Sequence, residues 1–134
     1  MSSTVSEVKA ALGSAVAAST GLRTYDHQPD QINAPFVFPS LESIEYHGAM
    51  QGGLVTQTYN VTAIVGRVAE RSSERLLDDL LSYGTAGIRF AVESEPTLGG
   101  VARTSIVQSA GRIASIEGND ATYLSCEWRV IVYA

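Results

Sequence analysis

The stretch from Ala121 to Ala134 constrains this chain more than any other. It reads Ala-Thr-Tyr-Leu-Ser-Cys-Glu-Trp-Arg-Val-Ile-Val-Tyr-Ala. Leu124, Cys126, Trp128, Val130 and Val132 alternate with Tyr123, Ser125, Glu127, Arg129 and Tyr133. Only a β-strand puts residues two apart on one face, so this pattern demands a sheet with one apolar and one mixed polar side. The apolar side needs a cover, and the polar side is a surface to present to a neighbour. The sequence ends while still inside this strand. No other part of the chain shows a comparable density of catalytic residue types, and the first expectation is a building block, not an enzyme.

The rest of the chain supplies the cover and the partner strands. Thr4 opens a capping box with Glu7, and Val5, Val8, Leu12 and Val16 recur at helical spacing until Gly21, which predicts a first helix over Thr4–Ser19. Leu22–Pro35 reads as a polar connector holding Asp26, His27, Pro29, Asp30 and Asn33. Phe36–Phe38, Pro39 and Leu41–Tyr46 predict a strand that lies at an edge or breaks at Pro39, because proline donates no ladder hydrogen bond. The glycines of His47–Gly53 mark a turn. Leu54–Gly66 predicts a long strand with Val55, Tyr59, Val61, Ala63 and Val65 on one face. A second helix is expected over Ala69–Tyr83, with Leu76, Leu77, Leu80 and Leu81 as its buried stripe and a charged opposite face. Ile88–Val92 favours one more helical turn, and Glu95–Gly100 a loop. Strands over Ala102–Ile116 and Ala121–Tyr133 should form a hairpin across Gly118-Asn119-Asp120. The expected fold is α+β: a single domain over residues 1–134, with one largely antiparallel four-stranded sheet and two main helices packed on one face.

Composition narrows the function classes. The chain has 134 residues, enough for one core without metal or disulfides, and 45% apolar with 17% charged residues argues against disorder. The formal charge is −5, with 9 basic residues scattered along the chain, so no basic stripe is available for the outside of a nucleic acid. Cys126 is the single cysteine; its place on the apolar side of the last strand makes it a small core residue. Met1-Ser2-Ser3-Thr4 leads into a helix without a charged head or apolar run, and no apolar segment approaches the roughly 20 residues that span a bilayer. No membrane association is expected, and the protein is expected to be made in a cytoplasm.

Candidate chemistry is sparse. Asp26, His27 and Asp30, joined by His47 if the loops meet, offer nitrogen and oxygen donors, but the spacing of a zinc site is missing. Ser109-Ala110-Gly111 lies within a predicted strand and is no nucleophile elbow. Gly99-Gly100 lacks the Lys-Ser/Thr of a phosphate loop, and Glu93 and Glu95 read as solvated loop carboxylates. No catalytic residue, metal ligand or cofactor follows from the residues.

Several segments in order carry a resemblance: Gly21–Asp26, Pro29–Pro35, Ile44–Met50, Val65-Gly66-Arg67, Leu77–Ser82, Thr97–Gly100 and the closing Val132-Tyr133-Ala134. Their order and spacing resemble the tail terminator proteins of long-tailed phages that infect actinobacteria. The resemblance implies a virion protein of the tail neck, assembled in the host cytoplasm as a homohexameric ring. Such a ring caps the major tail tube protein, stops its polymerisation and docks the head–tail connector or stopper protein. The genomic double-stranded DNA then passes through the lumen without sequence-specific binding. A connector or stopper would share these features. A different class, a small ligand-binding or hydrolytic domain, would use the Asp26/His27/Asp30 loop. The interface residues expected are Tyr46, His47 and Met50 beside a glycine-rich turn, Leu98 as a wedge, and Tyr133 on the polar side of the last strand, because aromatic and methionine side chains suit interfaces.

Overall fold

A computed structural model describes residues 5–25, 35–46, 55–82, 84, 87–94, 96–100, 102–117 and 121–133. Along the chain they form α1 (Val5–Thr20), β1 (Arg23–Thr24), β2 (Phe36–Tyr46), β3 (Val55–Arg67), α2 (Arg71–Leu81), α3 (Ile88–Glu93), a 3-10 turn at Leu98–Gly100, β4 (Thr104–Glu117) and β5 (Thr122–Tyr133). The fold is mixed α+β. The sheet runs β1-β2-β3-β5-β4, and every pairing is antiparallel except the two-residue β1 against β2.

The expected four-stranded sheet has a fifth strand among the described residues, β1, too short to leave a period in the sequence, and the further helical turn expected over Ile88–Val92 is a third helix, α3. β1 spans two residues and is held by the Tyr25 N–H donating to the Val37 carbonyl at 2.9 Å. α3 spans six residues, of which Ile88, Ala91 and Val92 are buried. The helix expected from Ala69 to Tyr83 is shorter, because Glu70 is its extended N-cap and Ser82 its extended C-cap. Gly21 ends α1 as expected, with φ of 74° and its N–H on the Ala17 carbonyl at 2.9 Å. Only glycine enters that left-handed conformation without strain.

Pro39 does not break β2. It pairs with Val61, two residues beyond Val37, whose carbonyl points at β1. Residues two apart in an antiparallel ladder point their backbone polar groups the same way, so the missing N–H of Pro39 faces away from β3. No ladder hydrogen bond is lost.

One continuous core lies between the sheet and the helices. Val8, Leu12 and Val16 of α1, Leu77 and Leu80 of α2, and Ile88, Ala91 and Val92 of α3 pack on Val37, Tyr59, Val61, Ala63, Cys126, Trp128, Val130 and Val132. All three helices thus cover the face that the alternation of β5 defines. β5 itself sits between β3 and β4, which explains why its apolar side is nearly dry. Its other side is not uniformly open, since Tyr123 packs with Phe36, Phe38 and Ile64 in a second small cluster at one end of the sheet.

A buried polar pair stands inside the main core. Tyr59 is fully buried and Gln57 nearly so, and the Tyr59 hydroxyl donates to Gln57 Oε1 at 2.7 Å. Burial pushes the Tyr59 hydroxyl up from 10.0 to about 12, because the phenolate would lose its hydration. The unfolded chain then gives up this proton first as pH rises. The contribution is complete below pH 10 and is lost as pH climbs through about 12, a fall of about 2–3 kcal/mol. Denaturant melts at pH 9 and pH 11.5 check this. Tyr59→Phe should remove that part of the alkaline slope, leaving the part due to the other tyrosines.

Candidate interaction surface

On the side of the sheet opposite the helices, residues from distant parts of the chain converge. The register sets them out in rows. Ser40, Asn60, Arg129 and Ser109 form one row across β2, β3, β5 and β4, and Phe38, Thr62, Glu127 and Gly111 the next. Glu42 follows Phe38 and Ser40 onto this side by alternation, within the register shift between Leu41 and Ser43. There its carboxylate takes Arg129 Nη2 at 2.9 Å and Asn60 Nδ2 at 3.3 Å. Glu42, Asn60, Ser109, Gly111, Glu127 and Arg129 line a shallow depression of about 120 Å³. Arg129 and Glu42 are both partly exposed, so their bridge contributes less than about 1 kcal/mol. Glu127 lines the depression as well, so two carboxylates and one guanidinium leave it with a net negative charge. Such a surface suits a broad, polar contact with another protein.

The β4 side of the molecule has a different character. Of the large apolar residues that stand exposed, Ile106 (42%) and Ile113 (59%) belong to β4 and Phe90 (41%) to α3, which packs against β4. On the helix side of β4 a groove of about 370 Å³ opens between α2, α3 and β4, with Leu81, Arg89, Val107, Ala110 and Trp128 in its wall. Glu93 joins the two layers: it accepts Arg89 Nε at 3.1 Å and the Val107 backbone N–H at 2.9 Å. The carboxylate expected to be a solvated loop charge is thus the last residue of α3 and satisfies a backbone donor next to the register shift at Val107/Ser109.

The structure sorts the residues expected at interfaces. Tyr46 ends β2 and is 67% exposed; Tyr133 ends β5 and is 39% exposed. They stand at the same end of the sheet, with Tyr46 opposite Val55 and Tyr133 opposite Thr56, which by strand alternation places them on opposite sides. His47 and Met50 lie outside the described residues, as do Asp26, His27 and Asp30. Leu98 is corrected: it is buried in the main core at φ of 51°, so its side chain is spent within the subunit and cannot wedge into a neighbour. The glycines after it are a tight turn, with Gly99 and Gly100 at φ of 71° and 98°.

Ser109 is an exposed strand residue. Cys126 is a buried free thiol, raised above its ordinary pKa chiefly by burial. Among the described residues no group of three or more His, Cys, Asp or Glu is placed to hold a metal ion, and no helix is long and apolar enough to cross a membrane.

Sequence reasoning missed Glu42 and the exposed strip along β4. Glu127 and Arg129 were legible as one polar side of β5. Glu42 was not, because its partners Asn60 and Arg129 stand on other strands, distant in the sequence. No protein-family model matches this chain, and no curated protein is significantly similar to it.

Proposed function

We propose that this chain is a structural neck protein of a long-tailed bacteriophage. It is a tail terminator that forms a ring on the finished tail tube, stops polymerisation of the tube protein and joins the tail to the head connector. The observation that carries the reading is the ordered set of motifs from Gly21 to Tyr133, which resembles that family along nearly the whole chain after the first helix. The surface chemistry agrees with it. A closed ring needs two different faces of each subunit to meet, and the apolar β4 flank and the β2 edge at the other end of the sheet are two such faces. A net charge of −5 favours a lumen that repels DNA and lets it slide.

Depleting the protein during infection and measuring tails by electron microscopy tests the reading. The expected result is tails of uncontrolled length that carry no heads. Tails of normal length beside unjoined or leaking heads would move the protein to the connector or stopper position. Normal virions would overturn the structural role altogether.

A further inference from the structure

We propose that the subunits of the ring join edge to edge, the β4 edge of one copy seating against the open β2 edge of the next. The proposal rests on the reading of the chain as a ring-forming subunit and names the two surfaces that meet. Three observations carry it. First, β4 ends the sheet order and runs for 14 residues, and its Thr104–Gly111 stretch contains no charged residue and no proline. Only the register shift at Val107/Ser109 and the Glu93 carboxylate on the Val107 N–H guard that edge. An edge free of charge and proline over this stretch, with exposed Ile106 and Ile113 on its strand, is the kind that pairs with another chain.

Second, the opposite edge carries the complementary charge. β1 covers β2 only at Phe36 and Val37, and among the described residues nothing pairs with the outer edge of β2 from Phe38 to Tyr46. That stretch holds Glu42 and Glu45 and no cation, whereas the β4 side begins at the exposed Arg103. Among the described residues neither Glu45 nor Arg103 forms an ion pair. Third, the two ends are level. Glu45 pairs with Thr56, Thr56 with Tyr133, and Tyr133 with Thr104, so Glu45 and Thr104 end the same row at opposite edges. A rotation about an axis along the strands brings Thr104 of one copy beside Glu45 of the next, in antiparallel sense, with Arg103 at the level of the exposed Tyr46. Arginine is attracted both to a carboxylate and to an aromatic face.

The two edges differ, so the contact is head-to-tail and propagates until it closes, as a ring requires. The Glu93 carboxylate already occupies the Val107 N–H and two register shifts interrupt β4. Side chains therefore close most of the seam: Ile106 and Ile113 pack on the β2 edge, with the charges at its end.

The test uses the full chain with Glu45→Cys and Thr104→Cys together, oxidised in concentrated solution; the native Cys126 is buried. The expected result is a ladder of disulfide-linked oligomers, with dimers only when the two single variants are mixed. Glu45→Cys combined with Ser115→Cys, at the far end of β4, should give no ladder. Arg103→Glu should weaken association about tenfold, and adding Glu45→Arg should restore it, since like charges across an interface repel and opposite ones attract. No ladder, or an equal ladder from the Ser115 pair, overturns the edge pairing. The two readings fail separately. Runaway tails on depletion without a ladder keep the terminator and remove the pairing. A ladder with normal virions on depletion keeps the pairing and removes the terminator.

Discussion

Trp128→Ala is expected to destabilise the fold by about 3–5 kcal/mol, the range for truncating a large buried aromatic side chain. Trp128 is 2% exposed and faces Val61 on β3 and Ala110 on β4, so one side chain spans three strands beneath the helices. Its neighbour Ala110 is too small to collapse into the space. The wall of the groove between α2, α3 and β4 would also lose its largest member. Trp128 is the only tryptophan, so the wild-type chain reports on its own unfolding by fluorescence, and the variant must be followed by far-UV circular dichroism. Trp128→Phe should cost clearly less. A melting temperature within a few degrees of wild type for Trp128→Ala would mean that the site is not a packed part of the core.

Gly66→Ala is expected to cost about 2–4 kcal/mol through two separable causes. Gly66 stands where β3 shifts register against β5, at φ of 150°, a conformation other residues adopt only with strain. A Cβ built there would also collide with Ser73 Oγ on α2, and Ser73 is itself buried. Combining Gly66→Ala with Ser73→Ala should recover the collision but not the backbone strain, so the two changes will not be additive. Denaturant midpoints of the two single variants and the double variant separate the terms. Full additivity would show that α2 does not rest on this end of β3 as described.

These two positions also show how the fold supports its surfaces. Gly66 lets the first turn of α2 sit down on the sheet, and Trp128 fills the layer between α2 and the β4 side. Together they hold one face of the sheet closed and leave the other free. On the other face Glu42 binds both Asn60 and Arg129. The exposed apolar side chains along β4 are what a second protein would cover.

Much of this was legible in the residues. The alternation of β5 marked its core side, and Cys126, Trp128, Val130 and Val132 all lie in the core; Tyr123 and Ser125, expected on the polar side, are buried as well. The stripes of α1 and α2 and the stop at Gly21 were read from helical spacing and glycine. The hairpin of β4 and β5 followed from two strand patterns with a turn signal between them. Each of these is a local property, carried by neighbours two to four residues apart. Leu98 was misread because its neighbouring glycines signal a turn but say nothing about which way the leucine before them points. Tyr46 and Tyr133 were recognisable as strand-end aromatics, while their places on opposite sides of one sheet end came from the register.

By itself the sequence determined the longer elements, the core sides of α1, α2 and β5 and the α+β class, because periodicity and glycine or proline chemistry act within a few residues. Only the tertiary structure decided that β5 lies between β3 and β4, that Glu42 meets Arg129 across β3, and that Glu93 caps Val107. Those pairings join residues tens of positions apart or depend on a one-residue register shift. Strand order and register are settled by the packing of the whole core, and a local pattern carries no record of which distant strand will be its neighbour.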